Sequence, residues 1–177
     1  MIDALISSKT RVKLLLKFFL NSNATAYLRS LESEFGESSN AIRVELNRLE
    51  AAGMLVSQMN GNKKIFRANT EHPLFTEIHS ILRKQIGLDH VVEHVVERLG
   101  AVDQVFLVGE FSRGCDSPII DLLFIGAVDR AYLVELLEKA EALVQRKIRY
   151  LVYSREEGAA IDWERYEPAP VLLWSRE

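Results

Sequence analysis

Cysteine occurs once in this chain of 177 residues. That excludes a disulfide framework within the chain and a metal site built from cysteines alone. Long apolar runs are missing too. The densest stretch, Val12 to Leu20, is broken by Lys13 and Lys17, so no bilayer-spanning helix and no membrane partner are expected. The opening MIDALISSKTR has no apolar core and no small-residue cleavage site, which reads as the absence of a signal peptide and points to the cytoplasm. Low-complexity tracts are absent as well. What is present, 48% hydrophobic and 27% charged residues, is the composition of a soluble globular protein. The length allows one large domain or two small ones.

Charge divides the chain. Residues 1–84 hold 12 Lys+Arg against 8 Asp+Glu, and residues 85–177 hold 10 against 17. A basic half joined to an acidic half suggests that only the first meets a polyanion.

The first half alternates helix signals and breaks. Val12, Leu15, Leu16 and Phe19 recur at helical spacing after Ser7 and Ser8, either of which can cap the helix. Asn21-Ser22-Asn23 then interrupts. A second short helix is expected from Tyr27 to Phe35, ending at Gly36. A third runs from Ser38-Ser39-Asn40 to Gly53, with Ile42, Leu46 and Leu49 inward. Residues 54–58 and 65–68 read as strands around Asn60-Gly61, a strong hairpin signal. Three helices and a hairpin are the order of a winged helix-turn-helix. The outer face of the third helix offers Ser39, Asn40, Arg43 and Asn47 to bases and phosphates. The hairpin carries Lys63 and Lys64 at its tip and Arg67 behind them, as a wing on phosphates would. Double-stranded DNA is the expected partner.

The run Leu46-Asn47-Arg48-Leu49-Glu50-Ala51-Ala52-Gly53-Met54-Leu55 carries a family pattern, L-x-x-L-x-x-x-G-h-[LV]. With its surroundings, over about residues 5–75, it resembles the winged-helix regulators of the arsenic-repressor-like superfamily. The resemblance implies a DNA-binding regulator. Nothing in this part matches the metal-sensing Cys or His clusters of some members.

Residues 72–100 read as a helical connector. His72-Pro73 is expected to open a helix, and Leu74, Ile78, Ile81, Leu82, Val91, Val92, Val95 and Leu99 stripe it. The stripe suggests a homodimer seam, with packing against the second domain as the alternative. Within it, His90-Val91-Val92-Glu93-His94 fits H-x-x-E-H, an inverted zinc-protease pattern. Two His at i and i+4 can share a metal. The third ligand and the enzyme scaffold are missing from the sequence pattern, so a solvated helix face is expected and no metal site.

Residues 101–177 alternate strand, turn, strand, helix and strand: 105–108, 109–114, 119–126, a helix after Asp129, and 147–153. That is an α/β core with a small mixed sheet. The run VFLVGEFSRGCDSPIIDLLFIG resembles the minimal nucleotidyltransferase family, which transfers a nucleotide from a nucleoside triphosphate with magnesium. There, paired carboxylates at i and i+2 of a strand clamp the metal. Here Gly109 and Asp121 keep the pattern, Ile119 stands at the first carboxylate, Glu110 replaces a Ser, and the third strand has Arg149 and Tyr150 but no acid. Glu110 or Asp116 are conceivable substitute ligands. Cys115 reads as incidental.

The expectation is therefore an α+β protein: a winged helix-turn-helix over 1–71, a connector over 72–100 and a nucleotidyltransferase-like domain over 101–177. It is expected to be a cytoplasmic, homodimeric DNA-binding regulator without cofactor. Its second domain is expected to lack catalysis, keeping Gly109 and Asp121 as remnants and serving a small-ligand or protein effector. The alternative is an active magnesium-dependent nucleotidyltransferase acting on a protein or small molecule.

Overall fold

The computed structural model describes residues 6–166 and 168–176. Part of the leader expectation concerns residues 1–5, outside that set. The chain is a mixed α+β protein with two small sheets. It divides into two compact units, Met1–Gln85 and Ile86–Glu177. The stretch expected as a connector is thus shared between them.

In the first unit, α1 (Lys9–Leu15) starts where the Ser8 hydroxyl accepts a hydrogen bond from Arg11 N. It continues into a π-helical turn, Leu16–Leu20. Leu14, Phe18, Phe19 and Leu20 are fully buried there, each contributing about 1.5–3 kcal/mol by leaving water. Lys17 is buried with them. It is tolerated because its ammonium meets Glu34 Oε1 at 2.8 Å. A strand that periodicity gives no sign of, β1 (Thr25–Tyr27), precedes α2 (Leu28–Phe35), which ends on Gly36 at φ 63°. α3 (Ser39–Ala51) is capped by Ser38, whose hydroxyl accepts from Ala41 N. Its Ile42, Leu46 and Leu49 are buried.

β2 (Leu55–Asn60) and β3 (Lys63–Ala68) form the hairpin. The sheet order is β1-β3-β2, all antiparallel. Asn60 pairs with Lys63, so the loop is Gly61-Asn62 and the turn lies one residue later than Asn60-Gly61. Gly61 has φ 58°, a backbone that costs glycine little. α4 (Phe75–Ile86) begins after the His72-Pro73 turn rather than on it.

In the second unit, α5 comprises α-helical Leu88–Val91, a π-helical turn Val92–Val96, and α-helical Glu97–Leu99. β4 (Val102–Val108), α6 (Gly109–Arg113) and β5 (Ile119–Gly126) follow. α7 (Arg130–Val144) is capped by Asp129, whose carboxylate accepts from Ala131 N and Tyr132 N. Then come β6 (Lys147–Tyr153), α8 (Arg155–Ala159), a 3-10 turn Trp163–Arg165 and β7 (Val171–Ser175). The sheet order is β6-β5-β4-β7, with β5 and β6 parallel and the other pairs antiparallel. β5 is central and almost wholly buried. Val108, Leu123 and Ile125 pack against Phe106, Tyr153, Ile161, Trp163 and Tyr166. The polypeptide after β6 thereby closes one flank of the sheet.

Of the expected apolar stripe of 74–99, Leu82, Val91 and Val95 are buried, and Ile78, Val92 and Leu99 are half-buried. Leu74 and Ile81 stay exposed, and Ile86 and Leu88, which lie between the two parts of the stripe, are buried.

Candidate functional site

One cavity in each unit gathers residues that the sequence singled out. The first, about 560 Å³, lies between α3 and the β2–β3 hairpin. Its walls are Tyr27, Leu28, Leu46 and Phe66, and its polar residues are Arg29, Arg43, Asn47, Asn62, Lys63 and Lys64. Burial of Ile42, Leu46 and Leu49 turns Arg43 and Asn47 outward on α3. The two-residue loop places Lys63 and Lys64 at the hairpin end facing them.

The lysines are held rather than free-swinging. Lys63 Nζ stands 4.4 Å from the centroid of the Tyr27 ring. Lys64 Nζ lies 2.7 Å from Glu50 Oε2, and the Ser57 hydroxyl donates to Glu50 Oε1. The Lys64 bond first, and the Ser57 bond after it, hold the Glu50 carboxyl below its ordinary range.

Of the residues expected to face DNA, Arg43, Asn47, Lys63 and Lys64 line one cleft. Ser39 and Asn40 lie a turn earlier on α3, outside its lining. Arg67 is also outside, paired in the sheet opposite Thr25 and Val56. Sequence reasoning missed Tyr27, Arg29 and Asn62. A basic residue in the first turn of α2 and an Asn in the hairpin loop were the available signals.

The second cavity, about 340 Å³, is lined by Gly109, Asp121, Arg149, Tyr150 and Tyr166 among others. Asp121 sits on β5 across from Val108 of β4 and Arg149 of β6. The carboxylate is buried, and Arg149 Nε donates to its Oδ1 at 2.5 Å. That bond holds the guanidinium above its ordinary range. Burial, with Tyr153 and the Asp121 charge adding to it, raises the Tyr166 phenol. Gly109 opens α6 at φ 69°, and a Cβ there would come within 2.3 Å of Asp121 Oδ2. Only glycine permits this approach. Glu110 is exposed, and Ile119, on the same face of β5 as Asp121, is half-buried. The described donors are therefore one buried carboxylate already bonded by an arginine. They do not make the paired-carboxylate magnesium cage that nucleotidyl transfer implies.

A third grouping is that of His90, Glu93 and His94 on α5. One donor atom from each of His90, Glu93 and His94 lies within 4.8 Å of the others.

No protein-family model matches the chain, and no curated protein matches it. Among solved structures, it is similar to a complex of a tri-AMPylated HEPN toxin with an MNT antitoxin from Shewanella oneidensis. The identity is 13%, over 52% of this chain and 73% of that one, with a TM-score of 0.37. It is also similar to a candidate nucleotidyltransferase from Sulfolobus solfataricus, at 24% identity over 56% of this chain and 86% of that one, with a TM-score of 0.36. The likeness is weak and spans about half of the chain. The expectation that the chain is not an enzyme finds no support among these neighbours, and it is not kept.

Proposed function

We propose that this chain is a cytoplasmic DNA-binding regulator whose first unit acts as a winged helix-turn-helix on double-stranded DNA. The observation that carries the reading is the cleft in which Arg43 and Asn47 of α3 face Lys63 and Lys64 of the hairpin. A helix with Arg and Asn on its outer face suits base edges, and paired lysines on a hairpin suit phosphates. A homodimer on an inverted repeat fits a single short reading helix, and exposed Leu74 and Ile81 on α4 are available to such a contact. Selection from a random DNA pool with the purified protein is the test. Enrichment of one sequence, bound with an affinity that falls steeply with salt, is expected. Failure to enrich any sequence, together with salt-independent binding, would reject the reading.

A second reading is nucleotidyl transfer by the second unit, onto a protein or a small molecule. What favours it is Asp121, a carboxylate buried beside a glycine that nothing larger can replace. The test is incubation with each labelled nucleoside triphosphate and magnesium or manganese. Metal-dependent labelling that disappears in Asp121→Ala supports it; no transfer from any triphosphate overturns it.

A further inference from the structure

We infer that His90, Glu93 and His94 form a binding site for a zinc-class divalent cation on the solvent face of α5. The site is independent of either reading above. Three features carry it.

The first is proximity. One donor atom from each of the three side chains lies within 4.8 Å of the other two. His90 Nδ1 is 4.0 Å from Glu93 Oε2. A tetrahedral ion with bonds of about 2.0–2.2 Å sets its donors roughly 3.3–3.5 Å apart. Small side-chain rotations close that gap, and the backbone need not move.

The second is orientation. His94 Nδ1 lies 3.1 Å from the backbone oxygen of His90. A carbonyl only accepts, so Nδ1 carries the proton and Nε2 keeps its lone pair for a metal. Histidines that bind metals are usually anchored in this way, through a hydrogen bond from the ring nitrogen that does not meet the ion.

The third is the scaffold. His90 belongs to the α-helical start of α5, and Glu93 and His94 to the π-helical turn that follows. Val91, Val95 and Val96 are buried beneath them. The inner face of the helix is therefore fixed, and the three donors are displayed together at the surface.

Donor chemistry selects the ion. Two imidazoles and one carboxylate suit zinc, cobalt, nickel or copper, whereas magnesium and calcium take oxygen donors. Three protein ligands leave a coordination position for water.

The experiment is calorimetric titration of chelator-stripped full-length protein with zinc, paired with cobalt titration followed by visible absorption. One equivalent per chain is expected, with the absorption band of a tetrahedral cobalt site. His90→Ala/His94→Ala should abolish both signals, and Glu93→Gln should weaken affinity about tenfold or more. All three residues sit at the surface or only half-buried, so the metal-free variants should match the parent in circular dichroism and melting, which reads folding separately. Cys115→Ser and His72→Ala should bind as the parent does. Absence of any titration, or titration unchanged in the double histidine variant, overturns the site. Affinity unchanged in Glu93→Gln overturns its three-donor form.

Discussion

At the scale of single residues, the cleft between α3 and the hairpin is restrained by one acid. Glu50 bonds Lys64 and is itself bonded by Ser57. A phosphate approaching Lys64 must compete with that carboxylate, and Glu50 adds a negative charge near the polyanion. Glu50→Gln should therefore tighten DNA binding at low salt and steepen its salt dependence, by about one further phosphate contact. Arg43→Ala should cost roughly 1–3 kcal/mol and relax sequence preference. Lys63→Ala should weaken all sequences alike. Fluorescence anisotropy across a salt series reads all three, and a Glu50→Gln protein that binds more weakly would show that this acid organises the wing instead of opposing it. In the other unit, Gly109→Ala forces a left-handed alanine, at about 1–2 kcal/mol, and drives a methyl against Asp121. A lowered urea midpoint is expected. Unchanged stability would mean that α6 does not approach β5 as described.

At the scale of elements, α1 and α3 are tied through Glu45. This acid is buried on α3, accepts from the Ser8 hydroxyl, and bonds Arg11 Nε at 2.8 Å and Arg48 Nη1 at 3.2 Å. Burial pushes its carboxyl up, but the Arg11 and Ser8 bonds and the two arginine charges outweigh burial and hold it below its ordinary value of 4.5. A lowered folded pKa means that the stabilisation is complete above 4.5 and fades as pH falls through the folded value. Glu45→Gln should cost about 2 kcal/mol at pH 7, and its deficit should shrink below pH 4.5. Urea unfolding across pH checks the sign. The same contacts explain what the sequence disclosed and what it hid. The inward Ile42, Leu46 and Leu49 are a local period, so α3 is readable; Glu45 among them reads as surface, because Ser8 and Arg11, which bond it from the start of α1, are far away in sequence. β1 is three residues long and exists only because β3 pairs with it. The hairpin loop is displaced by one residue because Phe66 and Ala68 must face the core, a register that Asn60-Gly61 cannot reveal. Arg67 falls outside the cleft through that pairing with Thr25 and Val56. β7 follows an irregular stretch and pairs with β4, far back in sequence. The His90, Glu93 and His94 grouping was legible as spacing, but the carboxylate's nearness to both rings depends on side-chain placement.

At the scale of the whole molecule, the two compact units carry opposite charge. Residues 1–85 hold 12 Lys+Arg against 8 Asp+Glu, and residues 86–177 hold 10 against 17. By net charge alone, a polyanion is attracted to the first unit and repelled by the second. The repulsion reaches about 30 Å at 0.01 M salt and about 8 Å at 0.15 M. If the first unit does the binding, the fragment 1–85 should bind non-specific DNA more tightly than the full chain at low salt. The two affinities should converge as salt rises, since only the long-range repulsion separates them. Specific binding obeys a different balance. If pairing of chains depends on the second unit, removing it abolishes avidity, and the fragment should lose affinity for a two-fold site at every salt concentration. Titrating full chain and fragment against one selected duplex and one scrambled duplex, at low and physiological salt, separates these effects. Tighter scrambled-DNA binding by the fragment at low salt alone is the expected electrostatic signature. A fragment that is circular-dichroism-folded yet binds neither duplex would place the DNA contact outside residues 1–85 and remove the basis for assigning α3 and its hairpin to it.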